Sequence, residues 1–240
     1  LMDEQRERAR TGTARTAPDR HELVTAFVSS GPESRFVGYE TLSVQTAIAA
    51  IRQLEVPEGP EPAVEARVEL RERPFYAEGG GQVSDSGVVE TASAVGDVVD
   101  VFRVGDDQVI AVEMKSGELT PGEAAKAVVD RDTRLATMCN HTATHLLHAA
   151  LRQTLGTHVR QAGSYVGPDK LRFDFTHGAP LSPDEARAIE DRVNEWVKAS
   201  RAVRALEMAR DEAEALGAMA LFGEKYGDEV RMVEVDEVSR

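Results

Sequence analysis

A chain of 240 residues, 41% of them apolar, is long enough to fill the core of one large domain or two small ones. A formal net charge of −14 argues against whole-molecule attraction to nucleic acid, so DNA is not an expected partner. A membrane-spanning helix needs roughly 18 or more consecutive apolar residues, which this sequence lacks, and the charged start Leu1-Met2-Asp3-Glu4-Gln5-Arg6 is not a signal segment. No membrane partner and a cytoplasmic location are the expectation. The single cysteine, Cys139, forbids an intrachain disulfide and suits a reducing compartment.

In chain order, Met2 to Arg10 is a charged helical stretch without an apolar stripe, and Thr11 to Asp19 has linker composition, so residues 1–20 read as a tail and linker. A strand-rich region follows over residues 21–128. Glu22 to Val28 and Phe36 to Tyr39 are short apolar runs around a Ser-Ser-Gly-Pro turn, and Val64 to Leu70 alternates with period two. Thr46 to Gln53 reads equally as strand or helix. Val98 to Val104 and Val109 to Met114 flank Gly105-Asp106-Asp107, a hairpin signal, and Ala124 to Val129 closes the region. Many short strands between Gly and Asp turns predict a small β-barrel or sandwich. Within it, Gly79-Gly80-Gly81-Gln82 lacks the Lys-Ser/Thr of a phosphate loop and reads first as a tight turn with a bulge.

A second domain is expected over residues 129–240. A long helix runs from about Thr133 to Leu155 and stops at Gly156. Val159 to Val166 then leads into Leu171 to Phe175, whose apolar positions alternate as on a half-buried strand. Ser182-Pro183-Asp184-Glu185 is a capping box with Pro at N1, opening a helix whose Ala186, Ile189, Val193, Trp196 and Val197 form the predicted core stripe. Asp211 to Leu216 gives a short helix stopped by Gly217, and Val230 to Val235 a final strand. The sum is an α+β protein, a small β-barrel followed by a sandwich with helices on one face of an antiparallel sheet.

The chemistry concentrates in Asn140-His141-Thr142-Ala143-Thr144-His145-Leu146-Leu147-His148. At 100° per residue, His141 and His145 lie within about 40° of each other, while Leu147, Ala150 and Leu151 point away. Two imidazoles four apart on a helix can grip one metal ion. A zinc protease would need Glu after the first His as its base, and position 142 is Thr. Cys139 points about 200° around the helix from His141, a poor additional ligand. Charge is locally reversed here, because residues 131–177 carry six Lys or Arg against three Asp.

Together, Phe75 to Gln82, Asn140 to Leu151, Gln161-Ala162-Gly163-Ser164, Leu171 to Phe175, and Gly217 to Gly227 resemble the editing region of the bacterial alanyl-tRNA synthetase family, in that family's order and over nearly the whole chain. The resemblance implies an editing domain of the type shared with threonyl-tRNA synthetases, which hydrolyses tRNA(Ala) wrongly charged with serine or glycine. A pocket for alanine cannot strongly reject these near-isosteres, so a second, hydrolytic site completes the discrimination. It also implies zinc bound by His141 and His145 with a Cys-x-x-x-His pair that this sequence does not contain, and it makes residues 1–10 the helix after an aminoacylation region. ATP and Mg2+ belong to that region of the parent enzyme.

By the same resemblance Thr144 meets the serine hydroxyl, against the plain reading of a helix threonine bonding back to a carbonyl. Gln161 positions water or the aminoacyl group, and His148 has no ligand role. Gly79 stands where the family has Ser. Arg160, Arg172 and Lys225 are candidates for phosphates of the tRNA acceptor end, though each is also an ordinary surface charge. Two alternatives stay open: a free-standing trans-editing deacylase, and a non-catalytic RNA-binding module whose zinc is structural, with four protein ligands rather than an open position.

Overall fold

The computed structural model describes residues 34–56, 63–104, 107–218, 227–236 and 238–239. The expected helical start at residues 1–10, the linker, the apolar run at 22–28, the tip of the Gly105-Asp106 turn and Lys225 lie outside the described residues. Two compact units emerge, one made of residues 1–78 with 84–131, the other of residues 79–83 with 132–240. The glycine-rich segment, read from sequence as part of the barrel that flanks it, therefore groups with the second unit.

The first unit is a closed barrel. Its strands are β2 (Ser43–Val56), β3 (Ala63–Leu70), β5 (Gly87–Thr91), β6 (Val95–Val104), β7 (Asp107–Ser116) and β8 (Ala124–Val129), with the two-residue strands β1 (Arg35–Phe36) and β4 (Glu72–Arg73) paired beside them. The barrel order is β2-β3-β7-β6-β5-β8, every neighbour antiparallel. The stretch 46–53, ambiguous in sequence, belongs to β2, the longest strand. Its first part pairs with β8 and, past a register shift between Ile48 and Ala50, its remainder pairs with β3, so one bulged strand closes the cylinder. Val104 lies opposite Asp107, the register that a two-residue connection imposes.

Ile48, Val68, Leu70, Phe75, Val89, Val98, Val101 and Val112 fill the barrel interior. The alternation along β3 would leave Arg67 and Glu69 in solvent, yet they are only 2% and 0% exposed. Arg67 stacks its guanidinium 4.6 Å from the Phe102 ring centroid. Near Glu69, Arg73 pairs with Asp107 at 3.1 Å. Burial, followed by the like charge of Asp107 and a hydrogen bond to it, pushes the Glu69 carboxyl up to about 7 against the opposing pull of Arg73.

The second unit is built on helix α1 (Arg131–Leu155). Gly156, at φ 116°, ends it, and Arg152 donates to the carbonyls of Thr157 and Val159 just beyond. Strands β9 (Gln161–Val166) and β10 (Leu171–Phe175) form an antiparallel hairpin in which Leu171, Phe173 and Phe175 are half-buried while Arg172 and Asp174 face out. Helix α2 (Pro183–Lys198) opens on the expected capping box, the Glu185 amide donating to Ser182 Oγ and the Ser182 amide to Glu185 Oε2. Leu147, Ala150, Leu151, Val159, Phe173, Phe175, Ile189, Val193 and Trp196 make one core. The predicted α2 stripe is narrower than expected, since Ala186 and Val197 are exposed.

Helix α3 (Arg210–Ala215) and strand β12 (Glu229–Val235) appear near their expected places. The partner of β12 is β11 (Val203–Ala209), which the sequence reading missed. The protein is α+β as expected, a closed barrel followed by helices with further sheet, and the described residues of this unit show that sheet as two two-stranded ladders, β9-β10 and β11-β12.

Candidate functional site

Helix α1 turns its ligand face toward β9 and the glycine-rich segment. His141 and His145 sit one turn apart with ring centroids 5.1 Å from each other and planes 24° apart. Asn140, just before them, anchors the helix to the β9-β10 turn by donating from Nδ2 to the Gly167 carbonyl at 2.7 Å. Thr144 is buried, and its hydroxyl donates to the Asn140 carbonyl at 2.8 Å. Its proton is thereby committed to the helix, and toward a ligand the oxygen can only accept.

Residues 79–82 form a tight turn closed by two backbone bonds, Gly79 to Gln82 at 3.2 Å and Gln82 to Gly79 at 2.9 Å. The two central residues, Gly80 and Gly81, have φ 60° and 84°, the pair of positive angles that a type I′ turn requires. A Cβ on Gly81 would stand 2.5 Å from both the carbonyl and hydroxyl oxygens of Ser164, so the turn packs on β9 through a contact only glycine permits. Around Gly79 there is open space, and the serine expected there by resemblance would fit sterically. The turn is tied to β9 by the Val83 amide donating to Val166 and the Val166 amide to Gly81.

This docking carries Gln82 to helix α1. Gln82 is 7% exposed, and its Oε1 lies 2.6 Å from His141 Nδ1. A glutamine carbonyl oxygen only accepts, so Nδ1 carries the proton, which leaves Nε2 as the nitrogen able to offer a lone pair. On β9, Gln161 Nε2 donates to Ser164 Oγ at 3.0 Å, and Ser164 Oγ donates to the Gly80 carbonyl at 3.1 Å. A chain of hydrogen bonds thus joins the turn to Gln161.

His145 is drawn down to about 4, chiefly by burial and then by His141 and His148, so it is a neutral imidazole at pH 7. His148 is lowered as well, by burial first and Arg152 second, against a hydrogen bond to the Val159 backbone. Among the described residues its Nε2 has no hydrogen-bond partner. His141, Thr144, His145, His148, Gln161 and Gly80 line one cavity of about 20 Å3, with Val166 and Phe173 as its apolar wall.

The donor set suits part of a zinc site. Two imidazoles one helix turn apart, His145 neutral and His141 held at Nδ1 by a buried second partner, are the ligand type and outer support that zinc takes. They would fill two of its positions. Among the described residues no three His, Cys, Asp or Glu side chains are placed to hold one ion, so neither His148 nor exposed Cys139 completes the pair.

Of the residues singled out in sequence, His141, His145, Thr144, Gln161 and Gly80 share the cavity, and Gln82 contacts His141 from behind. Arg160 and Arg172 are exposed and do not line it, and Arg172 pairs with Asp174 at 3.2 Å. Ser164, His148 and Phe173 had no assigned role. For Ser164 and Phe173 the only sequence signal was membership of a quoted motif, and for His148 it was the shared helix face.

Residues 1–133 match the family model described as tRNA synthetases class II (A). The chain is 46% identical over 240 residues to the alanine–tRNA ligase of Halorhodospira halophila, covering 100% of this chain and 27% of that protein. It is 46% identical over 241 residues to that of Lysinibacillus sphaericus, and 42% identical over 240 residues to that of Methylococcus capsulatus, covering 99% of this chain each time and 26% and 27% of those proteins. It therefore spans about a quarter of the length of these curated relatives.

Proposed function

Since this chain belongs to the class II (A) tRNA synthetases, we propose that its second unit is an editing site that hydrolyses the ester of tRNA(Ala) mischarged with serine or glycine. The observation that carries this reading is the single cavity gathering His141, Thr144, His145 and Gln161, which are far apart in sequence or on successive helix turns. Similarity to alanine–tRNA ligases along the whole chain supports tRNA(Ala) as the nucleic acid.

In this reading Thr144 Oγ1, its own proton held by Asn140, accepts a hydrogen bond from the serine side chain, a contact glycine cannot make. Gln161 is held by Ser164, which fixes its amide plane against the aminoacyl group or water. The Gly80-Gly81 turn brings backbone to the rim of the cavity, seated against Ser164 because Gly81 carries no Cβ to meet the Ser164 oxygens. His141 and His145 would hold zinc, which supplies a Lewis acid and a template when bound. Val166 and Phe173 close the apolar wall and limit water to the reacting face. Exposed Arg160 offers charge to phosphate, as does Arg172 once released from Asp174.

The test is release of labelled amino acid from Ser-, Gly- and Ala-tRNA(Ala), using the 240-residue chain and the longest reading frame that contains it. Serine and glycine should be released and alanine spared. Hydrolysis of all three at one rate, or of none by either protein, would sink the proposal.

A further inference from the structure

One buried group in the cavity has no part in the scheme above. His148 is 8% exposed, its Nε2 is without a hydrogen-bond partner among the described residues, and its ring packs 5.0 Å from Phe173 between centroids. We propose that His148 Nε2 holds the hydrolytic water, accepting a hydrogen bond from it within the cavity shared with Thr144, His145 and Gln161. The inference rests on the editing reading and adds to it the group that handles water.

Five observations converge. The Nε2 atom is the unpartnered one, so the bond to the Val159 backbone falls to Nδ1–H, and Nε2 carries a lone pair. A buried polar atom left alone is a rare feature of native proteins and asks for a function. The cavity volume of about 20 Å3 exceeds the ~10–15 Å3 that one water needs, and a water requires polar partners such as those lining it. Among the described residues no Asp or Glu lines the cavity, and His148 is the lining imidazole not assigned to zinc, so it can take a proton from water. A ligand role beside His141 and His145 is disfavoured, because no three such side chains converge among the described residues. Burial and the nearby Arg152 charge keep the ring neutral at pH 7, so the lone pair is available.

The chemistry balances. Water oxygen bonds the ester carbonyl carbon as one of its protons passes to His148 Nε2. The bond from that carbon to the ribose oxygen then breaks, its electron pair goes to the ribose oxygen, and the proton held by Nε2 is delivered there. The products are a free amino acid and an intact tRNA terminus, with His148 returned to its starting form.

Two measurements test this. The first is Ser-tRNA(Ala) hydrolysis by the wild type, H148F and H148Q, with zinc content and thermal midpoint recorded for each. H148F should lose about 100-fold or more in kcat, the usual size of a proton-transfer contribution, at unchanged KM and zinc content. H148Q, which keeps an acceptor at similar reach but no basic nitrogen, should fall between the two. Active wild type with an equally active H148F would overturn the inference and leave the editing reading standing, whereas inactive wild type would overturn both. The second is a high-resolution crystal structure of the wild type, which needs no variant to fold. Water density within hydrogen-bond distance of His148 Nε2 is expected, and its absence would overturn the assignment.

Discussion

Replacing Gln82 by leucine tests whether the glycine-rich turn supports the proposed zinc ligands of helix α1. The bond to be removed joins Gln82 Oε1 to His141 Nδ1 at 2.6 Å, with Gln82 7% exposed, so water cannot easily substitute for it. Loss of an outer partner of a ligating imidazole usually weakens metal binding by ~10–100-fold, which is ~1.4–2.7 kcal/mol. In the metal-free protein, depriving Nδ1–H of this acceptor should cost about 1–3 kcal/mol. Competition for zinc against a chromophoric chelator would measure the first quantity and thermal unfolding the second. Nitrogen-15 spectra of His141 supply a signature that simple loosening of the turn would not produce: a defined Nδ1–H tautomer in the wild type and a tautomer mixture in Q82L. Q82E, with a stronger acceptor, should keep the wild-type tautomer and bind zinc at least as well near pH 8. If Q82L bound zinc within about twofold of wild type, far inside the expected range, and kept the tautomer, Gln82 would be a packing residue only.

Gly81→Ala should disrupt the turn, since the added carbon meets Ser164 oxygens at 2.5 Å on a residue at φ 84°; about 1–3 kcal/mol of strain, read as a lowered midpoint of Trp196 fluorescence, is expected, along with loss of the Ser164 to Gly80 bond. Thr144→Val keeps the shape and removes the acceptor, so deacylation of the seryl substrate should slow by about tenfold or more, one lost hydrogen bond's worth, while the glycyl substrate is little changed; equal losses would remove Thr144 from recognition. Glu69 has a folded pKa raised from 4.5 to about 7. An acid so shifted loses stability as pH rises from its unfolded value through its folded one, so barrel stability should fall across that window by up to ~3 kcal/mol. Glu69→Gln should match wild type at the acid end and exceed it at about pH 8, as read by hydrogen exchange at Val68 and Val112. An equal difference at every pH would refute the assignment.

Short-range patterns determined much of this protein. The α1 helix with its Gly156 stop, the Ser182-Glu185 capping box, the alternation of Leu171 to Phe175 and the close-set pair His141 and His145 each depend on residues within about a turn or a few positions of one another. That is why they were legible. The role of Gln82 was not, because its partner is 59 residues away and the bond exists only once the Gly80-Gly81 turn has docked on Ser164. Strand β11 escaped notice because nearly all of its residues are exposed, so no burial alternation marks it. Arg67 and Glu69 alternate like solvent-facing residues and are buried, since Phe102, Arg73 and Asp107 come from elsewhere in the first unit. Burial of both faces of a strand, the state of an imidazole and the company a glutamine keeps are properties of three-dimensional neighbours. Local periodicity selects helix or strand, whereas the packing of distant segments decides which polar atoms lose water and which partner then satisfies them.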